Sequence, residues 1–291
     1  MKKKWVLIAA IAGSATVLAA TAVRKDGKRA LRGDWPVNLA HRGASARAPE
    51  NTLEAFRLAV EAGAGGLELD VHVTRDGEVV VIHDATVDRT TDGSGAVAEM
   101  ELEEIQRLDA GYHFSPDGGR NFPYRGRGVR IPTLTEVYAS FPEARVNADI
   151  KEAQSGAEEA VLRVIRSAGA EERTLIASTE HAVVRRFRRI SRGHITTAAS
   201  RREIAAFYVL SRARLGALAR PVYDALQVPV EHRGIELVTP RFLRAARSTG
   251  VRVDVWTIND AAEMRWLLDL GVSGIMTDHP EVLAALLAGR R

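Results

Sequence analysis

Three segments, HRGASARAPENT (41–52), LELDVHVTRDG (67–77) and VVVIHD (79–84), alternate polar clusters with apolar runs, and their reading decides the fold. Residues 37–40 form a short apolar run that stops at His41 and Arg42. After Asn51-Thr52, the residues Ala55, Leu58, Ala59 and Ala62 recur at helical spacing on one face. Residues 66–71 read as the next strand. Within it Glu68 and Asp70 stand two apart, so both carboxylates face one side while Leu67, Leu69 and Val71 face the other. Two acids side by side on a strand repel each other unless a cation lies between them. Asp76-Gly77 turns the chain, and residues 78–82 return as a third strand that carries His83 and Asp84 back to the same neighbourhood.

Further along, the pattern of strand and helix continues. Apolar runs at 37–40, 66–71, 145–150, 174–178, 194–198, 225–229, 251–256 and 274–277 alternate with periodic segments at 157–167, 181–190, 240–248 and 261–270. The periodic segments end near Gly169, Gly193, Gly250 and Gly271, as helices do. Eight β/α alternations in about 250 residues predict an α/β fold, the (β/α)8 TIM barrel. A doubly wound sheet would require a glycine-rich phosphate loop after an early strand, and the sequence has none. Between residues 81 and 132 the alternation lapses. That stretch is expected to hold a hairpin strand at 90–97 around Asp92-Gly93-Ser94-Gly95, then a loop rich in Gly, Pro and Arg.

These residues resemble the glycerophosphodiester phosphodiesterase family. The resemblance rests on His41-Arg42-Gly43, Pro49 to Thr52, Glu68-Leu69-Asp70, Arg75-Asp76-Gly77 and His83-Asp84. It extends to Arg89-Thr90-Thr91, Pro132-Thr133-Leu134, Trp256-Thr257 and Gly274 to Asp278, in order across roughly 240 residues, which a lone short motif would not do. It implies that residues 35–291 form the barrel domain and that residues 84–130, after the second strand, are a small insertion capping the substrate mouth.

In such a barrel, reactive groups sit at the carboxyl ends of strands. His41 and Arg42 end the first strand, Glu68 and Asp70 lie on the second, Asp149 and Lys151 end the third and Trp256 ends the seventh, so all converge on one mouth. Three carboxylates without thiolates suit one hard divalent cation, Ca²⁺ or Mg²⁺. The family implies Glu68, Asp70 and the acid at 149 as its ligands; Glu is common at the third position, and Asp149 is a shorter variant. A phosphodiester hydrolase needs an acid and a base that titrate near neutrality, roles that fall to His41 and His83. Arg42 and Lys151 are the expected phosphate clamps. Glu50 and Asn51 belong to the site by family role, Asn51 having a helix N-cap as its ordinary alternative. Trp256 is expected either as an apolar wall for glycerol or as a buried rim aromatic. His72, two beyond Asp70, reads as a residue behind the site or at the surface, not a fourth ligand. His113, His181, His194, His232 and His279 have no comparable context. Many relatives follow the fourth strand with Ser-Phe, whereas here Thr179 follows Ser178, which alters the expected pocket wall.

The expected reaction is metal-dependent cleavage of glycerophosphodiesters to glycerol 3-phosphate and an alcohol. A lysophospholipase D-like reaction on lysophospholipids is the rival within the fold, with Tyr112, Phe114, Phe122 and Tyr124 as an apolar lining. A non-catalytic, membrane-tethered headgroup binder is the rival outside it. No protein partner is expected.

The first 34 residues stand apart. Lys2, Lys3 and Lys4 precede the apolar stretch 5–23, and a basic run follows to Asp34. That stretch has the length of an apolar membrane-spanning helix, and it also has the layout of a secretory signal with Ala20-Thr21-Ala22 as a cleavage site. The expectation is a membrane anchor with the catalytic domain extracytoplasmic, or alternatively secretion after cleavage. The sequence pI of 9.6 invites a nucleic-acid reading. However, the eight basic and two acidic residues of 1–34 account for it, leaving residues 35–291 at net −2, so nucleic acid is set aside as a partner. With no cysteine in the chain, disulfides and thiolate metal sites are excluded.

Overall fold

The computed structural model describes residues 37–151, 156–216 and 219–290. The N-terminal segment read as anchor or signal, residues 5–23 within 1–34, lies outside them. No helix among the described residues is long and apolar enough to cross a membrane.

Eleven strands form among the described residues: β1 (Asn38–His41), β2 (Gly66–Val73), β3 (Val79–Val81), β4 (Arg145–Ile150), β5 (Thr174–Ala177), β6 (Thr196–Thr197), β7 (Ala225–Val228), β8 (Glu231–His232), β9 (Ile235–Glu236), β10 (Arg252–Val255) and β11 (Gly274–Thr277). Eight of them run parallel in the order β6-β5-β4-β2-β1-β11-β10-β7. A parallel bridge from Ala198 to Ala225, with Ala199 N donating to Ala225 O at 2.8 Å, joins the two ends. The result is a nearly closed barrel of eight strands wrapped in helices. The expected strand at 194–198 shortens to two residues, and β3 stands outside the barrel as the antiparallel partner of β2, Val71 opposite Val81.

Strand alternation sorts the side chains. Leu67, Leu69, Val71, Val146, Ala148 and Ile150 face outward and pack with Phe56, Ile165 and Phe187 of the surrounding helices. Leu226, Val228, Val253, Val255 and Ile275 do the same beneath Phe207, Phe242 and Met264. The inward positions are unusually polar for a barrel whose interior is ordinarily filled by branched apolar layers. Asn147 Oδ1 accepts from Gln227 Nε2 across the barrel at 3.2 Å, and Arg252 Nε donates to buried Asp254 at 2.7 Å. The helices begin where strands end, capped by the hydroxyls of Thr52, Thr133 and Thr239 and the carboxylate of Asp260.

The hairpin strand expected at 90–97 does not form. Asp88 accepts from Ser94 Oγ at 2.7 Å and Gly95 N at 3.1 Å, while Thr91 Oγ1 donates to Val87 O at 2.8 Å. These local side-chain bonds replace a ladder, leaving a single bridge from Thr86 to Ala96. Residues 84–130 instead carry a 3-10 turn (Val97–Glu99) and a short helix (Leu102–Gln106). Their apolar residues Val87, Val97, Ile105 and Ala110 pack on Val80 and Ile82.

Gly43, at φ +87°, lies so close to the first helix that an added Cβ would stand 2.7 Å from the Ala55 backbone. Gly43→Ala is expected to cost at least about 2 kcal/mol from overpacking plus left-handed strain, read as a lowered urea midpoint.

Candidate active site

The register of the sheet assembles the polar cluster. His41 pairs with Glu68 between β1 and β2, and Asp70 pairs with Asp149 between β2 and β4. Arg42 N donates to Glu68 O and Ile82 N to Asp70 O, so His41 and His83 reach the same edge of β2 two residues apart. Two residues of strand span roughly 6–7 Å, room for a phosphoryl group between the imidazoles.

Each imidazole is held at Nδ1 by a carboxylate. His41 Nδ1 lies 2.7 Å from Asp278 Oδ1, and His83 Nδ1 lies 2.5 Å from Asp84 Oδ1. A carboxylate at Nδ1 fixes ring orientation and tautomer and directs Nε2 to chemistry. Burial alone would lower the His41 pKa, but the Asp278 hydrogen bond and the charge of Glu68 more than offset it, and the net shift is upward. Asp278 is itself oriented by Ser45 Oγ at 2.8 Å and Asn259 Nδ2 at 2.6 Å. Burial opposes its ionisation, yet these donors and His41 hold its pKa down to about 2.

Glu68 and Asp70 are buried on the inward face of β2, and Asp149 is largely so on β4. Burial and the neighbouring Asp70 charge push the Glu68 pKa up to about 7. Asp70 goes the other way: Lys151 and Arg42 overcome its burial and lower its pKa. Lys151 Nζ stands between two acids, 2.8 Å from Asp70 Oδ1 and 2.7 Å from Asp149 Oδ2. Among the described residues no three acids or histidines are gathered as a ready-made chelate. The donor chemistry nevertheless fits a hard cation. Every candidate ligand atom is a carboxylate oxygen, Asp149 Oδ1 is buried with no hydrogen-bond partner among the described residues, and burial beside the Asp70 charge opposes ionisation of Glu68, which a cation there would relieve.

Arg42 sits at φ +57°, which costs a residue with a Cβ about 1–2 kcal/mol, and its guanidinium is tied to Glu50 Oε1 at 2.9 Å with Nε 3.2 Å from Asp70 Oδ2. Asn51, also at φ +57°, donates Nδ2 to Asp70 Oδ2 at 2.9 Å and accepts from Asp70 N at 3.3 Å. It is not the helix cap; Thr52 is, its hydroxyl accepting from Ala55 N. His72 is buried and its Nε2 lies 3.0 Å from His83 O, so it braces the loop that presents His83. Trp256 follows β10 at the mouth and is 41% exposed, which rules out the buried-rim alternative. Ser178 Oγ donates to Ile150 O at 2.8 Å and the Thr179 that follows is exposed, so no large side chain stands at that rim position.

Asp84, Arg89 and Asp278 stand within motifs of the sequence, where spacing alone assigns them no role. In space Arg89 Nε donates to Asp84 Oδ2 at 2.6 Å, while its Nη1 and Nη2 donate to Glu50 at 2.8 and 2.7 Å. A continuous chain of opposite charges therefore runs Asp84, Arg89, Glu50, Arg42, Asp70, Lys151 and Asp149, with the His83 ring hydrogen-bonded to its first member. Glu50 resists burial and stays ionised because it braces two arginines. The only hint in the sequence was the place of these residues within the motifs that carry the family resemblance; spacing could not show that residues 39 apart share a bidentate pair. Arg89→Lys keeps the charge but loses the fork. It is expected to lower kcat/KM roughly tenfold and to move the pH profile, with partial rescue by added guanidinium. An unchanged profile would make Arg89 merely structural.

Comparison with known proteins adds a lineage to this geometry. Residues 41–282 match the glycerophosphoryl diester phosphodiesterase family. A glycerophosphodiester phosphodiesterase of Caldanaerobacter subterraneus subsp. tengcongensis is 37% identical over 256 residues, covering 86% of this chain and 96% of the relative. The crystal structure of a glycerophosphodiester phosphodiesterase from Agrobacterium tumefaciens superposes with a TM-score of 0.67 at 28% identity, covering 85% of this chain and 98% of that one. A phosphodiesterase of Oleispira antarctica, solved with the product sn-glycerol-3-phosphate, shares the fold at a TM-score of 0.70 and 23% identity, covering 87% and 97%.

Proposed function

This chain belongs to the glycerophosphoryl diester phosphodiesterase family, and from that premise we propose that it hydrolyses glycerophosphodiesters to glycerol 3-phosphate and an alcohol by histidine acid-base catalysis. The observation that carries this reading is the pair of imidazoles, each held at Nδ1 by a carboxylate, along the strand edge that bears Glu68 and Asp70.

Glu68, Asp70 and Asp149 would hold one Ca²⁺ or Mg²⁺, which when bound neutralises charge on the phosphoryl oxygens. The chain's own cations act beside it. Arg42, fixed by Glu50, presents its fork to one phosphoryl oxygen, and Lys151 supplies a point charge. His41, whose pKa is raised, keeps its proton to higher pH than an ordinary histidine and serves as acid to the leaving alkoxide. His83 serves as base to the attacking hydroxyl. Attack by the substrate's own 2-hydroxyl is intramolecular and needs no ordered water. It forms a cyclic phosphodiester as the alcohol departs with the His41 proton, and water then opens the ring with the two roles reversed. Trp256 offers the glycerol an apolar wall.

Water-soluble diesters suit this site better than lysophospholipids. The rings that would line an acyl groove already have partners: the Arg125 guanidinium lies 4.2 Å from the Tyr112 ring and 3.8 Å from Phe122, and Phe114 packs edge-on to Tyr124. In the same reading residues 5–23 tether the barrel to a membrane with its catalytic domain outside the cytoplasm, or direct its secretion.

The full chain is to be assayed with glycerophosphocholine and lysophosphatidylcholine, each with Ca²⁺ and with Mg²⁺. Release of glycerol 3-phosphate from the first is expected, and no release from any glycerophosphodiester would overturn the reading. An analogue without the 2-hydroxyl is expected to turn over at least roughly a hundredfold more slowly, because an intramolecular attack is lost. Equal turnover would leave water as the nucleophile.

A further inference from the structure

The modest net charge of the barrel domain conceals a strong separation. Residues 181–250 contain fourteen arginines, no lysine and four acidic residues, a net of +10, which leaves the rest of residues 35–291 at −12. Those arginines are not spread around the barrel. Most ride on three neighbouring helices, His181–Ile190, Arg201–Arg212 and Pro240–Ser248, which together form one sector of its outer wall. The one acidic residue on these three helices, Glu203, is buried against Arg188, and Arg186 is paired with Glu159 of the preceding helix.

Between the second and third of these helices lies a groove of about 320 Å³, lined by Ser211, Arg214, Arg241, Arg244 and Ser248. None of these three arginines has an acidic partner within ion-pair distance among the described residues. Hydroxyls and guanidinium forks around a concavity match a phosphate. On the same wall, Val209 of the second helix and Leu215, which follows Arg214, are 39% and 45% exposed, among the few large aliphatic side chains open to solvent.

We infer that this arginine-rich wall is a docking face for an anionic lipid bilayer. Charge complementarity selects a polyanionic surface, since basic side chains held near such a bilayer are each attracted to its negative surface potential. The exposed aliphatic side chains select a bilayer over a nucleic acid, because they gain from entering the boundary between headgroups and acyl chains, whereas a phosphate backbone offers them nothing. The apolar stretch 5–23 and its basic flank, read as an anchor, would bring this wall to the same surface. Docking through the helical wall leaves the mouth, carried by the strand ends, open to soluble substrates. The inference stands on charge placement and does not depend on the catalytic reading.

The test uses the full chain with vesicles of phosphatidylcholine alone or mixed with phosphatidylglycerol, and reads backbone hydrogen exchange. Slowed exchange at 201–216 and 240–248 is expected with the anionic vesicles only. It should vanish at about 1 M salt, where the screening length is roughly 3 Å, and in the triple variant R214Q/R241Q/R244Q. Equal exchange in both lipids would overturn the inference, as would protection by a DNA duplex but not by vesicles. Because the wild-type comparison of lipids and salt needs no variant, misfolding of the triple variant leaves the test intact. Turnover of glycerophosphocholine on the same samples separates the two readings: it should persist in the triple variant whether or not docking is lost.

Discussion

Replacing His83 or His41 by Ala is expected to lower kcat at least roughly a hundredfold, the low end of what a positioned acid or base contributes. The loss should fall on kcat more than on KM, because Arg42 and Lys151, the proposed phosphate clamps, keep their own ion pairs with Glu50 and Asp70 when either imidazole is removed. The pH profile then assigns the roles. The His41 pKa is raised in the folded protein, so its imidazolium persists to higher pH than an ordinary histidine, and activity that needs this acid declines as pH rises through that value. Asp278→Asn removes the carboxylate chiefly responsible, so the alkaline limb should move to lower pH; the same limb unmoved would show that His41 is not the acid. His72→Phe tests the brace behind His83: losing the contact to His83 O should lower kcat without moving that limb.

Excess chelator is expected to reduce activity to background, with recovery on adding Ca²⁺ or Mg²⁺, and full activity in chelator would sink the metal reading. The informative substitution is Asp149→Asn. Its Oδ1 has no partner among the described residues and its Oδ2 meets only Lys151, so the change should weaken the metal at least roughly tenfold, about 1.4 kcal/mol. Thermal unfolding should barely move. Asp70→Asn is a poorer probe. Asp70 is 1% exposed and is approached by Arg42, Lys151 and Asn51, so removing its charge leaves Arg42 with Glu50 alone and Lys151 with Asp149 alone, and weakening this buried network is expected to lower the thermal midpoint. A loss of activity there would confound metal affinity with folding, whereas at Asp149 the two separate.

The sequence by itself determined the alternation of strands and helices, the eight barrel strands and the inward face of Glu68 and Asp70. These follow from period two and period 3.6, which are local properties of the chain. It also marked His41, Arg42, His83, Asp149 and Lys151, because residues at strand ends in this fold converge whatever fills the loops between them. The hairpin expected at 90–97 failed for a local reason too, since the Asp88 and Thr91 side chains compete for the backbone that a ladder would need. Only the tertiary structure decided what each polar residue touches. Asn51 turned from possible cap to partner of Asp70, and Trp256 from possible core to open rim. Arg89 became the link between Glu50 and Asp84, and Asp278 became the partner of His41 from 237 positions away. A hydrogen bond is fixed by atomic positions within a few tenths of an ångström, and closure of the barrel, which no local pattern encodes, sets those positions. For charge the two share the result: the sequence concentrates fourteen arginines in residues 181–250, and folding sets the helices that carry most of them side by side as one wall.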